Sequence, residues 1–449
     1  MQPVSTPTHA NAPDDGRKRN RRAWLTTVTN LGAKVITVLT SFATIPLTLH
    51  HLGSERFGLW MTISSFTALL AFADLGLGNG VLNVIAQASG RSDQAAIRRA
   101  IASAAVMLST VSLVLALLLG PLVMLIDWSR AFDLRDPRSQ AEVVPALLTF
   151  GTCLLLNIVV ALSGRIQMAL QQGFFTGLIN AAGAIAGLIG VLAAIHAEAG
   201  LPWLILALVG APLLTNVVGA IVFFRRGHAD LIPTRADIQP QVMSQLARVG
   251  ALFFVLQLAS AFAYSSDNTI AAHYLGADSV GTYAIVSKLF GAIGIVTGML
   301  LQPLWPAYGE ALARGDHTWV KTTLRRSMMI STGFAAAASL VLFFGFDLIT
   351  SLWLHTQVQA PATLLLGFCA WAITDALGNS FAMYLNGAHV VRFQVVVALL
   401  NAAVSFGVKV WSVQGGHLNY LPWVTTGSYI VCALIPYLVF VPRHLQRQP

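Results

Sequence analysis

Seven side chains in the first apolar run of this sequence fall on one helical face. Thr27, Asn30, Lys34, Thr37, Ser41, Thr44 and Thr48 follow a 3,4,3,4 spacing, and residues three and four apart stack on one side of a helix. The rest of the same run is apolar, from Trp24 and Leu25 through Val28, Leu31, Val35, Val38, Leu39 and Phe42. A polar stripe of this length is unfavourable against lipid. It must line water or a partner helix bundle, as a ligand-binding wall, or tie helices together through hydroxyl bonds. Lys34 lies ten residues inside Trp24, roughly 15 Å at the helical rise. A lysine at the centre of a bilayer costs at least about 2.5–3.5 kcal/mol, and an ionisable group there points to function by default. Its ammonium is a point charge suited to an anion.

Other polar groups inside apolar runs extend this set. Gln257, Ser260, Tyr264 and Asp267 are spaced 3, 4 and 3 apart and form a second polar face. Lys288 shares a face with Ala284 and Gly291; it is either a second buried cation or a side chain that snorkels outward. Lys409 and Arg165 stand near helix ends, where snorkelling is the expectation. Asp74 and Asp375 are acids within apolar runs, followed by Asn79 and Asn379 respectively. Each could bind a coupling proton or sodium ion, or pair with a lysine across a cavity. The glycines Gly76, Gly78 and Gly80 lack the strand–turn–helix context and the Lys-Ser/Thr ending of a phosphate loop. They suit close helix approach or a hinge instead. Three cysteines inside apolar runs suggest no disulfide framework. The eleven histidines show no metal-ligand spacing, so no metal site or cofactor is expected.

The elements that hold these residues follow from composition. Of 449 residues, 56% are hydrophobic and only 10% charged, with a mean hydropathy of +0.70. Soluble domains carry about 25% charged residues, so the solvent of this chain is largely lipid. The net charge of +9 comes from residues in short breaks between apolar runs, without the aromatic interleaving of a nucleic-acid surface. A bilayer core of ~30 Å needs ~20 apolar residues. Runs of that length occur near 24–48, 57–80, 101–126, 144–169, 177–197, 203–224, 248–272, 282–307, 327–353, 362–385, 393–412 and 422–441. The first is too long for a signal-peptide core and reads as a retained helix. With the N-terminus inside, twenty of the 27 Lys and Arg fall on the cytoplasmic side and four outside, which fits the positive-inside rule. Both termini are therefore expected in the cytoplasm. Pro303 and Pro306 predict a kink near the end of the eighth span.

An internal repeat divides the chain. His50-His51-Leu52-Gly53 with Gly58 is echoed by His273-Tyr274-Leu275-Gly276 with Gly281, 223 residues later. Arg98-Arg99 is echoed by Arg325-Arg326. This predicts an all-α membrane protein of about 12 transmembrane helices in two six-helix lobes, related by a pseudo-two-fold axis along the membrane normal. The expected units are a disordered basic N-terminus (1–22), an N-lobe (23–226), a cytoplasmic linker (227–247), a C-lobe (248–442) and a cytoplasmic tail (443–449). Gln257 occupies the position equivalent to Lys34. Transporters with such repeats place substrate between the halves near the midplane.

Leu52-Gly53-Ser54-Glu55-Arg56-Phe57-Gly58-Leu59-Trp60 and Phe72-Ala73-Asp74-Leu75-Gly76-Leu77-Gly78-Asn79-Gly80 resemble the polysaccharide transporter family, which includes O-antigen flippases. That family lies within the multidrug/oligosaccharidyl-lipid/polysaccharide exporter superfamily. The resemblance runs from about Arg21 to Arg443. It implies a flippase of the bacterial cytoplasmic (inner) membrane that moves undecaprenyl-pyrophosphate-linked oligosaccharide, such as an O-antigen or exopolysaccharide repeat unit, by alternating access. Its partners would be that lipid-linked substrate, membrane lipid, a coupling ion (H+ or Na+) and polysaccharide polymerase machinery. Asn30, Lys34, Thr37, Ser41, Gln257, Ser260, Tyr264 and Lys288 would then line the substrate cavity. A cation-coupled exporter of small amphipathic molecules is the alternative on the same fold, although the first helix lacks the acid such exporters often carry there. A membrane-embedded polymerase or glycosyltransferase would need a larger extramembrane segment than these loops offer, so no enzyme activity is expected.

Overall fold

The computed structural model describes residues 12–65, 70–265, 267, 270, 277–354, 358–415 and 418–447, without the side chains of 12–15, 65, 70–71, 264–265, 277–280, 353–354, 418 and 447. The regular structure of these residues is helical throughout. Hydrocarbon offers backbone N–H and C=O groups no partner, so the chain satisfies them within helices. The spans are α1 (12–52), α2 (54–65, 70–73 and 77–90), α3 (Gln94–Leu125), α4 (Pro137–Val160, continued by Leu162–Ala169), α5 (Gly173–His196) and α6 (Leu201–Gly227). They continue as α7 (Pro240–Ser265), α8 (Ala277–Leu301 and Leu304–Ala313), α9 (His317–Leu354), α10 (Ala362–Gly387), α11 (Val391–Gln414) and α12 (Leu421–Gln446). Among the described residues, eleven helices are long and apolar enough to cross a membrane; the first of these, Gly16–Ser64, contains α1 and the start of α2. No loop opens between them because Gly53 turns the chain at φ 75°, ψ 172°, a conformation open to glycine at no steric cost.

Local chemistry sets the helix starts. Asp93 and Asp136 accept hydrogen bonds from the first-turn N–H groups of α3 and α4, and Pro137, Pro202 and Pro422 occupy first-turn positions where a missing N–H is harmless. The turns at 91–93, 170–172, 228–239, 314–316 and 388–390 share one end of the bundle, here the linker end. The turns at 126–136 and 197–200 lie at the far end.

The twelve spans form two lobes, α1–α6 and α7–α12, and matching irregularities repeat across them. α2 breaks at Asp74–Gly76 and α8 at Gln302–Pro303. Five-residue π-helical turns interrupt α6 at Leu206–Gly210 and α12 at Ile430–Leu434, 224 positions apart. Leu201-Pro202-Trp203 opens α6 and Leu421-Pro422-Trp423 opens α12, a further repeat signal beyond those noted in the sequence. The second copy of the His-x-Leu-Gly motif, at 273–276, lies outside the described residues.

The helical N-terminus corrects the expectation of disorder through residue 22. Residues 1–11 lie outside the described set, but α1 is helical from Ala12. Arg19 is only 3% exposed, pairs with Asp316 of the other lobe and lies 4.6 Å from the Trp319 ring. That pairing and the Trp319 contact carry the helix beyond its apolar run.

The lobes close on each other at the linker end. The second half of α2 packs against α7 and against Leu304–Ala313 of α8. Trp305 Nε1 donates to Asn83 Oδ1 at 2.5 Å, and Gln171 hydrogen-bonds Glu310 across the seam. Gly76 (φ 73°) and Gly250 stack backbone on backbone, and a Cβ on Gly76 would overlap the Gly250 carbonyl oxygen. A Cβ on Gly90 would stand 2.6 Å from Ala313 Cβ and 2.8 Å from the Glu310 carbonyl oxygen. Gly90→Val should therefore force this end apart. Spin labels at Gln94→Cys and Lys321→Cys, in a background without the native cysteines, should report a longer distance in the valine variant. An unchanged distance distribution would show that closure does not depend on this approach.

Candidate functional site

Two cavities within the bundle are built on equivalent helices of the two lobes. The N-lobe cavity, about 630 Å³, is walled by α1, α4, α5 and α6 and floored by Met299 and Gln302 of α8. Asn30, Lys34, Thr37, Thr40, Ser41 and Thr44 line it from α1. The Thr37 and Ser41 hydroxyls each donate to a carbonyl one turn back at 2.8 Å, so their oxygens remain acceptors toward the cavity. The stripe also serves packing: Thr27, Thr44 and Thr48 are buried, and α1 makes its most extensive contact with α5. Lys34 is exposed to the cavity. Asn157, Asn180 and Asn216 add amides from the other three helices, and among the described residues no carboxylate lines the wall.

The C-lobe cavity, about 490 Å³, uses the equivalent helices α7, α10, α11 and α12 and is closed by Phe72 and Asn79 of α2 and Trp305 of α8. Gln257 and Ser260 line it from α7; the side chain of Tyr264 lies outside the described residues. Asp375 sits in this wall and accepts a hydrogen bond from Asn379. Asn386 and Gln394, joined at 2.8 Å, and Asn401 complete an amide-rich surface. The side-chain oxygens of Gln257 and Asn401 have no partner among the described residues. Lys288 is exposed and lines neither cavity.

Two cations stand elsewhere than the sequence suggests. Arg165 does not snorkel to a helix end; it borders both cavities and faces the charge of Asp74. Asp74 accepts from the N–H groups of Gly76 at 2.9 Å and Gly78 at 3.2 Å, which caps the restart of α2. A Cβ on Gly78 would lie 2.6 Å from Asp74 Oδ2 and 3.0 Å from Arg165 Nε, so this glycine leaves room for both groups. The charge opposite Asp74 is thus an arginine of α4, not a lysine. Lys409 is fully buried instead of snorkelling. It pairs with Asp267, which follows α7 in the chain, at 2.5 Å and donates to the carbonyl of Ala263 in α7 at 2.6 Å. Asp267 also accepts from Tyr283 OH at 2.6 Å, so Lys409 and this carboxylate together tie α7, α8 and α11. The Arg165 position and the α10–α11 amides are not foreseen from the sequence; isolated Asn and Gln in apolar runs are their only trace there.

A family model described as "Polysaccharide biosynthesis protein" matches residues 24–312, well over half the chain. The chain belongs to this family. It is thus a multi-pass membrane protein of the polysaccharide transporters. It is similar to a Yersinia pseudotuberculosis protein named for O-antigen export, at 24% identity over 79% of this chain and 80% of the relative. A Salmonella typhimurium protein named as an O-antigen transporter is 20% identical over 84% of this chain and 86% of its own. The fold matches an outward-facing multidrug resistance MATE transporter with a TM-score of 0.76, at 12% identity, covering 96% of this chain and 97% of that one.

In this transporter the Lys409–Asp267 pair should hold the C-lobe together. Removing one member of a buried ion pair leaves an uncompensated charge, at about 3–5 kcal/mol. Lys409→Met alone should lower the unfolding free energy by that amount in detergent. Lys409→Met with Asp267→Asn should restore most of it, since the amide oxygen introduced at position 267 would still accept from Tyr283. Equal losses in the single and double variants would refute the pairing as the cause.

Proposed function

We propose that this transporter flips a lipid-linked oligosaccharide across the bacterial inner membrane by alternating access, with the pyrophosphate held in the N-lobe cavity. The observation that carries this is the wall of that cavity: Lys34 and Arg165 are its only charged groups among the described residues, on a surface otherwise rich in hydroxyls and amides. A pyrophosphate diester bears about two negative charges, which Lys34 and, in the part that Asp74 does not balance, Arg165 offset in a low-dielectric passage. Hydroxyl oxygens and amides suit the sugar hydroxyls beside it. The O-antigen export and transport names of the relatives support the same cargo class.

In this reading the linker end is cytoplasmic, as the distribution of Lys and Arg implies, and the closed seam there shuts the passage on the cytoplasmic side. Cargo would enter when the seam parts and leave on the far side. Transport of this kind breaks no covalent bond, so no catalytic residue is assigned.

A second reading, cation-coupled export of small amphipathic molecules, draws on Asp375 in the C-lobe cavity and on the fold shared with a multidrug MATE transporter. The excess of positive charge on the N-lobe wall disfavours cationic drugs.

Reconstituted vesicles containing a fluorescent pyrophosphoryl-lipid oligosaccharide decide between them. Lys34→Ala should slow flipping by roughly ten- to a hundredfold, the range expected for a lost charge-assisted hydrogen bond, while Lys34→Arg should retain most of the rate. Protein level and melting temperature should not change. Wild-type flipping by a well-folded Lys34→Ala protein would refute the assignment, and proton- or sodium-driven dye export without lipid flipping would favour the second reading.

A further inference from the structure

A third cavity, about 490 Å³, opens at the linker end between α7, the α10–α11 turn and α12. It shares no lining residue with the two cavities described above. Its ionisable groups are all bases: Arg248 of α7, His389 and Arg392 at the start of α11, and His444 of α12. Arg91 of the N-lobe is close enough to act on His389, which adds to the positive field. Three other arginines at this end have acidic partners, Arg19 with Asp316, Arg98 with Asp237 at 3.8 Å and Arg314 with Glu310 at 2.9 Å. Arg248 and Arg392 have no carboxylate in ion-pair range among the described residues.

The remaining wall is apolar, with Leu252, Phe393 and Phe440 facing the bases. His444 bonds Tyr384 OH through Nδ1 at 2.8 Å and stacks on Phe440 at 5.5 Å, which leaves its Nε2 to offer. α11 starts at Val391 without a side-chain cap, so its first-turn N–H groups add to the pull on an anion. Unpaired cations on one side and aromatic surface on the other, at the end of membrane-spanning helices, match a phosphate attached to acyl chains. The volume falls in the range of ordinary ligand clefts.

We propose that this cleft binds the phosphate headgroup of an anionic phospholipid from the leaflet at the linker end. Arg248 and Arg392 hold the phosphate, and Leu252, Phe393 and Phe440 contact the acyl chains. The same chemistry could come from the lipid-linked cargo or from free phosphate. The separation from both transport cavities favours a resident bilayer lipid.

Native mass spectrometry of the full-length protein in detergent, titrated separately with phosphatidylglycerol, phosphatidylcholine and inorganic phosphate, tests this. One phosphatidylglycerol should bind at least roughly tenfold more tightly than phosphatidylcholine, and Arg248→Gln with Arg392→Gln should remove that preference. Arg98→Gln, a charge loss at the same end, should leave it intact. Each single glutamine variant reads the same comparison if the double variant unfolds, with lipid-free melting as the check. Equal binding of the two phospholipids, wild-type binding by the variants, or saturation by inorganic phosphate alone would overturn the proposal. So would one-for-one displacement of phosphatidylglycerol by a pyrophosphoryl-lipid oligosaccharide, which would assign the cleft to the cargo path.

Discussion

Hydrocarbon solvates neither a peptide N–H nor a charge, and the architecture of this transporter answers to that constraint. Large apolar residues such as Leu117, Phe344 and Val341 are exposed because lipid, not water, covers them. Three of the charges within the spans are each met by a partner or by a cavity, whereas Lys288 of α8 is exposed. Lys409 has Asp267, Arg165 has Asp74 and both cavities, and Lys34 has the N-lobe cavity. The helix breaks obey the same rule. Where α2 opens at Asp74–Gly76, the Asp74 carboxylate takes up the freed N–H groups, and the adjacent backbone is covered by α7 at Gly250.

Packing between lobes rests on small residues for a related reason. Lipid tails are as apolar as leucine, so helices gain from association chiefly by close contact and hydrogen bonds. Gly76, Gly80 and Gly250 bring α2 and α7 backbone to backbone, and Gly90 and Gly309 let α2 and α8 approach closely. The seam adds few and specific bonds, Arg19 to Asp316, Gln171 to Glu310 and Trp305 to Asn83. The seam also buries an apolar cluster that joins Leu77, Val81 and Ile85 of α2 to Leu246 and Phe253 of α7 and Trp305 of α8, so parting it must uncover that surface.

Spans and lobes are legible in the sequence because length of apolar run and helical period are properties of one helix at a time. The α1 stripe from Asn30 to Ser41 is legible for the same reason. What escapes is set by other helices. The sequence places Arg165 and Lys409 only by their distance from the ends of their own helices, yet their positions are fixed by Asp74 and Asp267, 91 and 142 residues away. The N-terminal extension of α1 depends on Asp316 and Trp319 of the other lobe, which no local pattern encodes. The linker ends of α2 and α8 run past their apolar stretches to Gly90 and Ala313 because each covers the other.

The two cavities use equivalent helices yet differ in charge, and the repeat makes that difference interpretable. Lys34 of α1 stands where Gln257 stands in α7, so one lobe offers an ammonium at the place where the other offers an amide. Symmetric ancestry would give matching walls; the departure suits the N-lobe to anion handling and the C-lobe to neutral hydrogen bonding. Asp375 sharpens the contrast, because a carboxylate in the C-lobe wall would repel a phosphate that strayed there. Arg165 borders both spaces while Asp74 balances part of its charge. A long amphiphile with an anionic joint between lipid and sugar would therefore seat its joint toward the N-lobe and extend its neutral sugars across the C-lobe. On the proposed function, the unlike polarity of the two walls would orient the cargo.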